Sequence, residues 1–412
     1  MTDPVAFFRD VAARHPRCFW LDGGGAREWS GRRSIIGWLE DDDVSLSWSA
    51  ARREVRAHTG SSSDVVGDDV FAVLEERLQP GEQWFGYFGY AARTDLPAAP
   101  DPVLPDAIWM RPRAVRVFQH DSAVATAQPR ENPPSGGAGG APEAYAAAFA
   151  AVQEHLHAGN SYEVNLTHRL TREADLDPVT AYLRLRELNP APYSGFLQHD
   201  VAGSRAWLLS SSPERYATIT ADRGLETKPI KGTTPRGAST EEDEEQRARL
   251  ASDPKTRAEN LMIVDLLRND LSLVCDVGSV EVPALMQVET YASVHQLVST
   301  VRGHLRDGVT TIGALRALFP AGSMTGAPKL RTMEVIGEVE STPRGVYAGA
   351  FGWISGDGPA DLGVVIRSLT TDGSGRWSLG TGGGITVKSD VDEEWAESEW
   401  KAERLLRVFD RD

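Results

Sequence analysis

Short apolar runs separated by turn-forming residues occupy most of this chain. Trp84 to Tyr90 and Ala114 to Phe118 read as strands. Tyr162, Val164 and Leu166 alternate with Glu163, Asn165 and Thr167, the period of a half-buried strand. Further strands are predicted at Trp207–Ser210, Arg215–Ile219, Val346–Ile354, Leu362–Thr370 and Trp377–Leu379. Helical spacing appears at Ala258, Leu261, Met262 and Leu266 and predicts a helix from Thr256 to Leu271. Other helices are expected from Glu143 to Ala158, closed by Gly159, after the capping box Ser239-Thr240-Glu241-Glu242, from Pro328 to Val339 and from Val391 to Phe409. The order is not a regular βαβ alternation, so the pattern predicts an α+β fold with a mostly antiparallel sheet. No repeat of solenoid period is present. The Pro-, Gly- and Ser-rich stretch 128–141 reads as a linker between an N-terminal part, 1–127, and a larger part, 142–412, the two forming one intertwined unit.

Composition narrows the class. The 412 residues are 41% hydrophobic and 25% charged, as expected of a soluble globular enzyme. No apolar run is long enough to span a bilayer, and Met1-Thr2-Asp3-Pro4 does not open a secretory leader. Only Cys18 and Cys275 occur, which suits a cytoplasmic setting and supplies no metal-binding spacing. A net charge of −16 argues against nucleic acid and anionic membranes as partners. It also means that an anionic substrate needs a local cluster of cations, or a bound metal, to be held.

The candidate chemistry sits in the C-terminal part. Lys231, in Thr227-Lys228-Pro229-Ile230-Lys231-Gly232-Thr233, has a glycine beside it that permits close approach to a ligand. Such a lysine is a potential amine nucleophile, although on the heptapeptide alone a solvated lysine at a strand end is the commoner case. The segment from Gly380 to Ile385 fails the dinucleotide fingerprint, and that from Gly322 to Lys329 fails the Walker spacing. The latter is nonetheless expected to place Ser323, Thr325 and backbone amides at a helix start, where anions bind. Pro235-Arg236-Gly237 reads as a turn. Glu394 and Glu397 share a helix face, and Glu259 lies near the start of another helix. Oxygen ligands from two helices suit Mg²⁺; a solvated acidic face is the competing reading. The nine histidines form no metal-binding spacing, and His295 reads as a core histidine.

Together these segments resemble the chorismate-utilising enzymes, the family of anthranilate, aminodeoxychorismate, isochorismate and salicylate synthases. The resemblance is strong over 141–410. It rests on Ser212-Pro213-Glu214-Arg215, the Lys231 segment, Arg257 to Leu266, Leu297-Val298-Ser299-Thr300, Gly322 to Lys329, Val365-Ile366-Arg367, Gly382 to Ile385 and the helix of Glu394 and Glu397. It implies a large, mostly antiparallel β-sandwich with helices packed outside. Relatives that make anthranilate, isochorismate or salicylate resemble one another in having alanine at position 231. Lysine there marks the aminodeoxychorismate synthases, which turn chorismate and ammonia into 4-amino-4-deoxychorismate, the precursor of 4-aminobenzoate and folate.

The same resemblance implies the roles. The Lys231 amine adds to C2 of the ring while the C4 hydroxyl leaves, and ammonia then adds at C4 and expels the lysine. Glu214 is similar to the acid that protonates the departing hydroxyl. Glu259 and Glu397, with Glu394 as a further or outer ligand, resemble Mg²⁺ ligands. Arg367 and Tyr347, the backbone of Gly382 and Gly384, and Ser323 resemble the clamp for the enolpyruvyl carboxylate. Arg367, Lys401 and the metal would make a positive well. Only about 1 in 2,500 ordinary lysines is neutral at pH 7, so Mg²⁺, an arginine and partial burial are expected to lower the pKa of Lys231. Trp29 to Gly37, with Ser34, and Asn189 to Tyr193, with Pro192 and Tyr193, resemble a tryptophan pocket. Neither cysteine stands in a glutaminase context, which implies a separate glutamine amidotransferase as ammonia source. Two positions depart from the family: Gln296 replaces a histidine, and Thr256 stands where many relatives have an acid. The open alternatives are an anthranilate or aminodeoxyisochorismate synthase and a non-catalytic paralogue binding chorismate or tryptophan.

Overall fold

The computed structural model of the chain describes residues 3–23, 33–120, 140–291 and 294–410. The linker expected over 128–141 lies outside these residues except for Gly140 and Ala141, and so do Trp29 to Arg32.

Among the described residues the strands form two antiparallel sheets. The first has nine strands, in the order Gly326–Ala327, Glu163–Glu173, Arg376–Ile385, Ser368–Thr371, Ala206–Ser212, Tyr193–His199, Arg17–Asp22, Arg33–Trp38 and Val115–Gln119. The second has twelve. It runs from Ile230–Pro235 through Val294–His304, Gly224–Lys228, Arg215–Ile219, Ala360–Val364, Ala350–Ser355 and Gln83–Phe88 to the edge strand Ser62–Gly67. Strands from before residue 120 are therefore built into both sheets: Arg17 pairs with His199 and Phe85 with Trp353.

The sheets meet face to face. Phe19, Leu197 and Leu208 of the first pack on Phe85, Ile108 and Phe351 of the second. The Phe19 and Phe85 rings stack with centroids 4.2 Å apart. Full burial of each such ring contributes roughly 1.5–3 kcal/mol. Helices cover the outer faces. Pro4–Arg14, Pro178–Leu188 and Val391–Leu406 lie on the first sheet, and Val70–Arg77, Pro254–Ser272 and Thr311–Leu318 lie on the second. This is the α+β sandwich with helices outside that the sequence implied. No described helix is long and apolar enough to cross a membrane.

Three local expectations need correction. Leu362–Thr370 is not one strand. It splits into Ala360–Val364 in the second sheet and Ser368–Thr371 in the first, and the chain crosses between them at Arg367, whose φ is 50°. Apolar residues flank Arg367-Ser368 on both sides because both halves are buried, so a strand-like pattern runs across the break. Val346–Ile354 is likewise shortened to Ala350–Ser355, since Gly345 and Ala348 take φ of 60° and 64° and form a turn. Gly322 to Lys329 is not a helix start. Gly322–Met324 is a single 3₁₀ turn, Gly326–Ala327 pairs with the strand Glu163–Glu173, and the helix begins only at Lys329. The expected strand Trp377–Leu379 is longer than its apolar core and takes in the glycines from 380 to 384, as Arg376–Ile385.

The helix that carries Glu259 is capped by Asp253, whose carboxylate accepts from the Thr256 amide at 2.7 Å. Asp253→Ala is expected to cost about 1 kcal/mol, seen as a lower urea midpoint with an unchanged slope.

Candidate active site

A cavity of about 790 Å³ is lined by residues of both sheets and of the helices Pro254–Ser272 and Val391–Leu406. It brings together Lys231, Glu214, Glu259, Arg367, Tyr347, Ser323, Gly382, Gly384, Glu394, Glu397 and Lys401. These residues are scattered over 188 positions, and particular backbone features direct them inward.

Lys231 lies where the pairing of Ile230–Pro235 with Val294–His304 slips between Ile230 and Thr233. Gly232, with φ of 82°, supplies the turn, and any side chain there would strike Thr256. Glu214 follows the strand Ala206–Ser212; its amide donates to Ser212 Oγ at 3.3 Å and its carbonyl accepts from the Val364 amide at 3.0 Å. Arg367 sits at the sheet crossing. Tyr347 sits in the tight turn before Ala350–Ser355, and its ring fills the space over Gly380. The glycine strand runs under the site. A Cβ on Gly384 would collide with the Glu163 carboxylate and stand 2.9 Å from Lys231 Nζ, and one on Gly383 would stand 3.0 Å from Glu394 Oε2.

The polar contacts form three groups. Ser323 Oγ donates to Glu214 Oε1 at 2.6 Å. Lys231 is buried and donates to Glu163 Oε1 in a tight ion pair. On the opposite wall Lys401 Nζ reaches Glu397 at 2.5 Å and the Gly382 carbonyl at 2.9 Å, while Lys255 Nζ reaches Glu394 at 2.9 Å. Glu394 also accepts from Ser389 Oγ at 2.7 Å. Glu259 Oε1 is buried and has no hydrogen-bond partner among the described residues.

Burial sets the acidities. It pushes Glu214 up to about 7, against the opposing pull of Ser323, Lys231 and Arg367. It pushes Glu259 up to about 7 as well. Glu397 moves down because of Lys401. For Lys231 the expected lowering is not found. Burial does favour the neutral amine, but Glu163, then Glu259 and Glu214, outweigh it, and the net shift is upward. The expected positive well is not made by side chains alone either: six glutamates and four cationic side chains line the cavity. Among the described residues no three His, Cys, Asp or Glu side chains stand in metal-holding geometry.

Glu163 and Lys255 were not singled out from the sequence. Glu163 belongs to the polar face of an alternating strand, a pattern that marks a solvent side. Here Glu163, Asn165 and Thr167 are buried, as are Val164 and Leu166, because both faces of the strand are covered. The two departures from the family pattern, Gln296 and Thr256, both line the cavity. His295 does not; its ring nitrogens reach Thr290 Oγ1 and Asp243, each at 2.9 Å. The residues of the tryptophan-pocket resemblance are tied into polar networks. Ser34 Oγ donates to Asp22 at 3.1 Å. The Tyr193 hydroxyl donates to Asp361 at 2.9 Å and accepts from Arg215 at 2.8 Å. Pro192 lies in the turn before Tyr193.

The fold and the cavity correspond to a defined class. A family profile described as chorismate binding enzyme matches residues 16–407, and the chain belongs to that family. The chain is 52% identical over 251 residues to a protein of Streptomyces pristinaespiralis named aminodeoxychorismate synthase, covering 61% of this chain and 34% of that one. It is 42% identical over 270 residues to aminodeoxychorismate synthase component 1 of Escherichia coli K12, covering 65% and 58%. These matches span about a third to three-fifths of the relatives' lengths. In fold it is similar to the crystal structure of anthranilate synthase component I from Streptococcus pneumoniae, with a TM-score of 0.74, 26% identity and 91% and 92% coverage.

Glu214 yields a stability test. Its acidity is 4.5 ordinarily and about 7 in the fold. As pH rises through this interval the unfolded chain ionises before the folded one, so the group destabilises the fold progressively and then by a constant amount. Glu214→Gln removes this term. Its stability relative to the parent is expected to rise between pH 4.5 and 7 and then level off, as followed by urea unfolding at a series of pH values.

Proposed function

We propose that this chain converts chorismate and ammonia to 4-amino-4-deoxychorismate, as the chorismate-processing component of an aminodeoxychorismate synthase. The observation that carries the reading is a buried lysine amine, Lys231, in one cavity with a carboxyl group, Glu214, that is half protonated near neutral pH. A nucleophile and an acid in the same water-poor space are what displacement of a hydroxyl requires.

In the first half-reaction the neutral Lys231 amine attacks C2 of the ring, the two ring double bonds shift, and the C4–O bond breaks. Glu214 gives its proton to the leaving oxygen and water departs. In the second, ammonia forms the C4–N bond, the double bonds shift back, and the C2–N bond breaks to return the lysine amine. Glu214 then takes a proton from the new C4 ammonium, so the sum is chorismate plus ammonia giving product plus water. Arg367 and Tyr347, beside the backbone of Gly382 and Gly384, would receive the enolpyruvyl carboxylate. Ser323 would hold Glu214 in place, and Lys401, bonded to the Gly382 carbonyl, would steady the glycine strand.

Mg²⁺ fits the donor set. All candidate ligands are carboxylate oxygens, Glu259 Oε1 is a buried acceptor without a partner, and the wall has two more glutamates than cations. Glu259, Glu397 and Glu394 would hold it, with Lys255 and Lys401 releasing their carboxylates. When bound, it would supply positive charge for the ring carboxylate. Ammonia would come from a glutamine amidotransferase. Cys18 and Cys275 are both buried, and burial raises both thiols, Cys275 to about 11, so neither is a ready thiolate nucleophile. The E. coli relative's name, component 1, fits a two-part enzyme. Two buried thiols also suit a reducing compartment such as the cytoplasm.

With chorismate, Mg²⁺ and ammonium chloride at high pH, chromatography should show 4-amino-4-deoxychorismate as the main product, and Lys231→Ala should make none. Anthranilate or isochorismate as the main product would overturn the assignment. Calorimetric titration with Mg²⁺ should show Glu259→Gln binding the ion at least about tenfold more weakly.

A further inference from the structure

The proposed reaction needs a neutral Lys231, yet the site holds it as a cation. Among the described residues Glu163 is its one hydrogen-bond partner, and Lys231 is the one partner of the Glu163 carboxylate, whose Oε2 is buried and unpaired. The pair is sealed: Glu163 is 1% exposed and Lys231 9%. Glu163 is carried by the strand Glu163–Glu173, which lies beside the glycine strand, with Asn165 opposite Gly384. Gly384 leaves room for the pair because a Cβ there would overlap the Glu163 carboxylate. Two further carboxyls act on Lys231, Glu259 from the helix Pro254–Ser272 and Glu214 from the turn after Ala206–Ser212. Neither bonds to it. Arg367, which also lines the cavity, acts on Tyr347, Glu397 and Glu214.

We propose that Glu163 is the proton partner of Lys231, holding it as the ammonium in the resting site and accepting its proton to release the nucleophilic amine. This rests on the function proposed above. In the step the Nζ–H bond breaks and an Oε1–H bond forms, so a buried ammonium and carboxylate become a buried amine and carboxylic acid. The total charge of the site does not change, and no proton crosses to solvent. Low polarity favours the neutral pair over the charged one, so substrate that fills the cavity in place of water favours the transfer. When ammonia expels the lysine, the Glu163 carboxyl returns the proton and the ion pair reforms.

The test compares the parent with Glu163→Gln and Glu163→Asp at saturating chorismate and Mg²⁺, holding free ammonia constant from pH 7 to 9. Glutamine keeps the shape and cannot take the proton, so Lys231 must release it to solvent. The ratio of the Glu163→Gln rate to the parent rate is expected to rise about tenfold per pH unit, the slope of a single deprotonation. The parent and Glu163→Asp profiles should follow Glu214 alone. A second readout is independent of turnover. Amine labelling of Lys231 with acetic anhydride, followed by peptide mass spectrometry, should be faster in Glu163→Gln than in the parent at pH 8. A Glu163→Gln rate profile that superimposes on the parent's, or unchanged labelling, would overturn the proposal. Failure of the underlying function looks different: the parent itself would make no aminated product, or Lys231→Ala would keep full activity.

Discussion

A buried ammonium and a buried carboxylate cannot be parted without leaving an uncompensated charge, at a cost of about 3–5 kcal/mol for breaking such a pair. The contact between Lys231 and Glu163 imposes this constraint on the site. It joins the edge strand Ile230–Pro235 of one sheet to the strand Glu163–Glu173 of the other, and it fits only where the strand between presents no side chain. Gly384 is therefore a structural requirement of the charge pair and not a nucleotide-binding element. Thr256 packs against Gly232, where an added Cβ would overlap its methyl.

Interruptions in regular structure deliver the other groups. Arg367 stands where the chain passes from one sheet to the other, in a left-handed conformation that non-glycine residues adopt at a cost of roughly 1–2 kcal/mol. Tyr347 projects from a turn in which Ala348 also has positive φ. Glu214 sits between two strands that belong to different sheets. A regular sandwich would point such residues along one sheet face, whereas the breaks at the crossing let both sheets contribute to one cavity.

Electrostatics within the cavity follow from shortage of water more than from net charge. Glu214 and Glu259 are both lifted to about 7 by burial although cations lie near each. Glu397 moves the other way because Lys401 lies against it. Burial thus lifts the carboxyls that lack a direct cationic partner, while a lysine in contact keeps its carboxylate ionised.

How much was legible in the sequence depends on the kind of signal. The helices of Glu143, Thr256 and Val391 and most strands follow from periodicity and caps, which are local and survive without knowledge of neighbours. The residues of the cavity were legible through ordered motifs, since Ser-Pro-Glu, the Lys231 segment and the Glu394 helix carry their identity in short stretches. Three things were not legible. The break at Arg367 lies between two apolar stretches that are both buried, so each side alone reads as strand. The burial of Glu163 is hidden by an alternation that marks solvent exposure in a two-layer sheet. The protonation of Lys231 depends on three carboxyls from separate elements, which only packing brings within range of one nitrogen. Sequence by itself determined which chemical groups this chain possesses and which elements carry them, because those are local properties. Tertiary structure alone decided which groups meet and in what state of charge, because distance and burial are properties of the packed whole.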